Sequence, residues 1–364
     1  MNKVYSYENK IVSIHSYDRD KSKWANSNNF EVTLPQSLKN VESIRLIDIS
    51  LPTNYYTFSN NYENTKFTFK LIPYLVSDPN FSYLASNQGN EYTVIIQEGF
   101  FTPTQLANEI TNKMNKVVTD YLTSTSNIST LTYSNFSATY DSVKQKIYFG
   151  NTIDSFILTF DTKITYENTN ANIDCANKNI FTHYLKWGFP YYIGFNKQSY
   201  NSIITTSNFD FLYNDIGETT WLTPDTNGAG AHYIEAPLTI KLFGESHIYM
   251  EVEKCNNIDE LEPYPEQTNN MYNNDFGGKI QSAFTKIPIT QIPHSQIILT
   301  NKDFIYSVKH FNPPIPKMDK LKFKFRYHDG ILVDFSDFPF NFSIEFRCLR
   351  DNILNNFNAI HSLN

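Results

Sequence analysis

Alternation with a period of two runs through this chain more persistently than any other pattern. In "FEVTL", Phe30, Val32 and Leu34 point one way, and Glu31 and Thr33 the other. In "KFTFKL", Phe67, Phe69 and Leu71 alternate with Thr68 and Lys70. "PLTIKLF" places Leu238, Ile240 and Leu242 opposite Thr239 and Lys241. The clearest case is "LKFKFRY", with Leu321, Phe323, Phe325 and Tyr327 on one face and Lys322, Lys324 and Arg326 on the other. "FSIEFRCL" repeats it with Phe342, Ile344, Phe346 and Cys348 inward. One-sided strands of this kind predict antiparallel sheets with one covered face and one wet face. "GESHIYMEVEKC" also splits in two, and the face with His247, Tyr249, Glu251 and Glu253 reads as solvated. "SIRLIDISLP" carries Ile or Leu at both parities, which predicts an inner strand covered on both sides.

A single segment breaks the rule. In "GFFTPTQLANEITNKMNKVVTDYL", Thr102 suits an N-cap, Pro103 the first helical position, and Gln105 completes a capping box. Leu106, Ile110, Met114, Val117 and Tyr121 then form an apolar stripe, predicting an amphipathic helix over about 103–122 that lies on a sheet. Between the periodic segments run long polar loops, among them "YENTNANIDCANKN" and "EPYPEQTNNMYNNDFGG". Many strands, one helix and long loops predict an all-β protein, a jelly-roll-type antiparallel β-sandwich. The strongest strands lie at both ends. This predicts one module built from the N- and C-terminal segments around an inserted region of about 100–230, with two sandwiches as the alternative.

Composition narrows the function. Aromatics make up 16% of the 364 residues against only 12 glycines, which favours broad aromatic β surfaces over glycine-rich phosphate loops. The net charge of -7 and the lack of a basic run argue against direct nucleic-acid binding. Cys175, Cys255 and Cys348 are few, odd in number and far apart, which suits a reducing compartment and neither a zinc ribbon nor a disulfide framework. The start "MNKVYSYENKIVSIH" has no signal-peptide core, and no apolar run is long enough to span a bilayer. A soluble protein made in the cytosol is the expectation.

The densest early cluster of charge is Asp18-Arg19-Asp20, inside "YDRDKSKWANSNNFEVTLP". Two carboxylates at alternate positions are able to converge on a cation. No companion carboxylates follow, so the preferred reading is a polar corner, with Arg19 paired to carboxylates or backbone carbonyls. None of the eight histidines has metal-ligand spacing, and no nucleophile elbow, Walker loop or dinucleotide fingerprint occurs. Cys348, on an inward face, reads as core. A glycoside hydrolase is not selected by any motif, because its paired acids are close only in space. No enzyme activity, cofactor or metal is expected. Tyr55, Tyr56 and Trp221 are candidate contact residues on loops, since aromatic side chains bring large contact area at modest entropic cost.

The stretch from Ser16 to Tyr56 resembles the opening of structural proteins of nucleocytoplasmic large DNA viruses. Those openings run from a strand into a D-R-D-like corner, here Asp18-Arg19-Asp20, then through S-N-x-F, here Ser27, Asn28 and Phe30. Strands ending in L-P follow, here Leu34-Pro35 and Leu51-Pro52. "EYTVIIQEGFFTPTQLANEITNKMN" is similar to the strand–turn–helix of that family, and "KWGFPYYIGFNKQSY", with Gly194-Phe195, to a short loop after its central strands. The segment from Phe311 to Leu349 resembles its closing strands, around a turn at Asp329-Gly330. The resemblance implies a minor capsid or penton-type subunit in the virion capsid, synthesised in the host cytoplasm. Its implied partners are other capsid proteins and further copies of itself, without nucleic acid or a membrane span. Asp18, Arg19, Asp20 and Trp24 would then fix a structural corner or touch a neighbour. The alternative is a receptor- or glycan-binding β-sandwich module at the virion surface, displaying Tyr55, Tyr56 and Trp221.

Overall fold

The computed structural model describes residues 5–53, 56–126, 131–166, 188–210, 220–225, 230–259, 282–290, 296–300, 308–328 and 332–351. In chain order its strands are β1 (Tyr5–His15), β2 (Asn29–Pro52), β3 (Lys66–Ile72), β4 (Tyr92–Ile95), β5 (Phe136–Asp141), β6 (Lys146–Asn151) and β7 (Ser155–Thr159). Then come β8 (Ser199–Asn201), β9 (Ile203–Thr205), β10 (Phe209–Asp210), β11 (Thr220–Leu222), β12 (Ala231–Glu235) and β13 (His247–Val252). The last are β14 (Ile258–Asp259), β15 (Ser282–Ala283), β16 (Thr285–Pro288), β17 (Gln296–Thr300), β18 (Val308–Arg326) and β19 (Asn341–Asp351). The helices α1 (Phe81–Ser86) and α2 (Pro103–Ser126) lie between β3 and β5. Every pairing among the described residues is antiparallel, and the class is all-β, jelly-roll-like, with one long amphipathic helix.

Two compact units divide the chain. The first joins Met1–Tyr55 to Glu245–Asn364, and the second is Tyr56–Gly244. The insertion is therefore wider than the 100–230 that the strand pattern marks, because β3 and β4 pair inside it.

In the first unit one sheet runs β1-β19-β2-β18-β13-β16, and β17 pairs with β2. The two ends of the chain thus alternate within a single sheet. Phe30, Phe323, Phe325, Phe340 and Phe342 are buried together, with Phe30 and Phe323 ring centroids 5.4 Å apart and Phe323 and Phe342 4.9 Å apart. Each fully buried Phe stabilises by roughly 1.5–3 kcal/mol. Leu34, Ile344, Phe346 and Cys348 are buried on the same strands, while Val32 is only half-buried. The mixed parity of "SIRLIDISLP" has a different origin from a strand covered twice. Leu46 pairs with Ile344 and Asp48 with Ser343, so Ile47 is a bulge. The extra residue flips the parity, and Ile44, Leu46, Ile49 and Leu51 are all buried. A second correction concerns β13. Tyr249 is buried rather than solvated, packs with Ala283, and has Lys286 over its ring at 5.3 Å. Glu251, beside it on that face, pairs at 3.2 Å with the buried Arg326.

The second unit holds two four-stranded sheets, β5-β6-β12-β9 and β4-β3-β7-β8, with α2 contributing to the same core. The capping box is present: the Thr102 N–H donates to Gln105 Oε1 at 3.0 Å, and the Gln105 N–H to Thr102 Oγ1 at 3.3 Å. Leu106, Ile110, Met114, Val118 and Leu122 are the buried row of α2, with Val117 and Tyr121 partly buried beside it. The stripe follows the i+4 ridge, which drifts around the helix because four residues exceed one turn. Phe67, Phe69 and Leu71 fill the core, but Thr68 on the other face is also buried, bonded to Thr159 O at 3.0 Å. "PLTIKLF" is not a strand, and Leu238 is exposed. Pro237 ends β12, and the chain then bonds two different neighbours, Leu238 N to Gly194 O at 2.9 Å and Ile240 N to Gln145 O at 2.9 Å.

Candidate functional site

The corner comes first, because the sequence singles it out. Arg19 is buried, and its guanidinium donates to three backbone carbonyls: Ser16 O at 2.6 Å, Trp24 O at 3.0 Å and Ala25 O at 3.0 Å. Its carboxylate neighbour is Asp337 at 3.5 Å, not Asp18 or Asp20. Asp18 accepts the His15 N–H at 3.0 Å, and Asp20 accepts both the N–H and the hydroxyl of Ser22, which hold its carboxyl below the ordinary value. The two carboxylates are each spent on their own turn. Trp24 is half-buried with the Lys322 ammonium 5.2 Å from its ring. Among the described residues no cluster of His, Cys, Asp and Glu is placed to hold a metal ion.

The contact aromatics are scattered. Tyr55 lies outside the described residues, as do Cys175 and the Asp329-Gly330 turn. Tyr56 is exposed. Trp221 sits on β11 rather than on a loop, donates to Ser137 Oγ at 2.9 Å, and packs edge-on to Tyr148 at 5.9 Å. A Cβ on Gly150 would lie 2.6 Å from its ring, so the glycine makes room for it. Trp221 is therefore a packing residue in the second unit.

What periodicity alone does not reveal is a polar depression of about 360 Å³ on the first unit's sheet. Strand register places two cross-strand rows side by side. One runs Asn9, Arg347, Ser43, His310, and the other Ile11, Glu345, Arg45, Val308. Except for Ile11, these residues line the depression, joined by Tyr7. Arg45 bonds Glu345, the His310 ring lies 3.1 Å from Glu42, and Arg347 lies 3.9 Å from the same Glu42 while its guanidinium covers the Tyr7 ring at 3.7 Å. Two arginines face two glutamates, so the floor is close to neutral while its donors and acceptors are fixed in place. This arrangement suits recognition of a polar protein surface, where fixed charges set register and exclude wrong partners. Arg45, Glu345 and Arg347 do stand at the polar parity of their strands, which is the only trace the sequence holds; their convergence needs four segments in register.

No family model matches the chain, and no curated protein matches it. Among solved structures, the chain is similar to the crystal structure of a selenomethionine-labelled mavirus penton protein, at 9% identity, over 94% of this chain and 99% of that one, with a TM-score of 0.39. A superposition that loose assigns neither function nor assembly. Among the described residues no helix is long and apolar enough to cross a membrane.

Proposed function

We propose that this chain is a structural virion protein without enzymatic activity, a minor capsid or penton-type subunit that assembles through loops and strand edges with other capsid proteins. The observation that carries the reading is the interleaving of the motif-bearing ends. The opening strand β2 and the closing strands β18 and β19, whose sequences hold the viral resemblance, join β1 in the contiguous order β1-β19-β2-β18. The opening and closing motifs are thus parts of one sheet, while the strand–turn–helix segment and the Gly194-Phe195 loop belong to the second unit. The Asp18-Arg19-Asp20 corner is its hinge point, since Arg19 ties the end of β1 to the segment entering β2 through three carbonyls. The polar depression on that sheet supports a role in docking: it offers paired charges and an aromatic ring, and little that would turn over a substrate.

Quantitative mass spectrometry of purified particles tests this. The expected result is a fixed copy ratio to the principal shell protein, retained through density-gradient purification and salt washing. Presence in infected-cell extracts with absence from particles would remove the proposal.

A further inference from the structure

Strand β1 ends the seven-stranded sheet, and among the described residues no strand pairs with its outer edge. The opposite edge is blunted, because β16 is four residues long and closes on Pro288. β1 is eleven residues long and contains no proline.

The hydrogen-bond phase of this edge is readable. The Ser16 N–H donates to Phe340 O at 2.8 Å, continuing the register in which Ile14 faces Phe342. Even-numbered residues of β1 therefore direct their peptide groups at β19, and odd-numbered ones direct theirs outward. His15, the last of the odd set, has its N–H taken by Asp18. Tyr7, Asn9, Ile11 and Ser13 direct theirs at the open edge. Tyr7 and Ile11 are also more than half exposed, at 54% and 63%.

We infer that β1 pairs with β1 of a second copy of this chain, antiparallel, about a two-fold axis at Asn9. With that centre, Glu8 of each copy faces Lys10 of the other, and Tyr7 faces Ile11, each pair occurring twice by symmetry. Asn9 meets its own counterpart in a hydrogen-bonded pair, in phase with the outward-facing peptide groups. Shifting the centre by one residue to Lys10 would place Glu8 against Val12, oppose two lysines and put the inward-facing peptide groups at the new ladder. The charge pattern and the hydrogen-bond phase thus select the same register independently. Between Tyr5 and Ser13 the ribbon forms about ten ladder hydrogen bonds, two from each of the five odd-numbered pairs. Glu8 already bonds Arg350 at 2.6 Å, so the contact extends an existing charge ladder. The inference stands on this geometry and does not depend on the capsid reading.

The test uses the full chain. The Asn9→Cys variant should link to a second copy of itself through the introduced thiols under mild oxidation, with the disulfide mapped by mass spectrometry. Facing residues of a hydrogen-bonded pair have Cα atoms about 5.5 Å apart, inside the disulfide range. Ser13→Cys, which faces Tyr5, should not self-link. By sedimentation at raised concentration, Lys10→Glu and Glu8→Lys should each weaken self-association about tenfold by opposing like charges. An equimolar mixture of the two variants should restore it, since each then supplies what the other lacks. Circular dichroism checks that both variants are folded. Absence of the disulfide in Asn9→Cys, equal linking by Ser13→Cys, or a mixture as weak as its components would each overturn the inference.

Discussion

Replacing Arg19 with alanine is the sharpest probe of what holds the opening of this fold together. The guanidinium is buried and donates to three carbonyls that belong to the link between β1 and β2. Charge-assisted bonds of this kind contribute about 1.5–3 kcal/mol each, but water enters the truncated site and re-solvates part of what is lost. The net cost should be about 3–5 kcal/mol, the range for breaking a buried polar network. Arg19→Lys should fall between, because one ammonium does not span three carbonyls in a fixed fork. Asp337→Asn supplies the contrast, since asparagine tolerates the φ of 59° at this position. The Asp337 side chain is 86% exposed at 3.5 Å from Arg19, and removing its charge should cost within about 0.5 kcal/mol. Urea titration read by hydrogen exchange on peptides from β1, β2 and α2 separates loss in the first unit from loss in the second. A cost under about 1 kcal/mol for Arg19→Ala, or equal costs for Arg19→Ala and Asp337→Asn, would refute the claim that backbone carbonyls are the partners that matter.

Three other outcomes follow from the second unit. Burial pushes the Glu63 carboxyl up to about 7 against Lys66, which pulls the other way, and one of its oxygens is buried without a hydrogen bond. A carboxyl raised on folding stabilises fully below its ordinary value of 4.5 and loses that contribution as pH rises through about 7. Glu63→Gln should therefore raise the melting temperature at pH 8 and leave it unchanged at pH 4; an equal effect at both would exclude the titration as cause. Gly194→Ala should cost several kcal/mol or block folding, because φ is +83° and the added Cβ would sit 2.2 Å from Leu238 O; a melting temperature within a degree or two of the parent would contradict this close approach. Thr102→Ala should cost about 1 kcal/mol by removing half of the capping box, seen as a lower thermal midpoint and faster exchange in the first turn of α2.

Local chemistry was enough to place several of the long elements. Strict alternation in "LKFKFRY" and "FSIEFRCL" marks β18 and β19 because the pleat sends successive side chains to opposite faces, and burying Phe323, Phe325, Ile344 and Phe346 leaves one choice of face. The start of α2 was legible in Thr102 and Gln105, because a capping box is made by residues three apart. Alternation misleads where a second layer or a bulge intervenes. Thr68 and Tyr249 look solvent-facing by parity and are buried, and Ile47 flips the parity of β2. Leu238 to Leu242 alternate without forming a strand, since Pro237 ends the ladder and two neighbours share the backbone that follows.

The amino-acid order by itself determined the faces of β18 and β19, the helix cap, the polar corner and the absence of any local motif for catalysis, because each depends on residues a few positions apart. Tertiary structure alone decided that the two ends of the chain interleave as β1-β19-β2-β18 and that Arg19 binds carbonyls instead of its flanking aspartates. It also decided that Asn9, Ser43, His310 and Arg347 form one row. The interleaving and the row depend on register between segments some 300 residues apart, whereas Arg19's carbonyl partners lie within six residues of it in the chain. Register is set by the summed burial of whole strands and by bulges, and no short window of sequence encodes it.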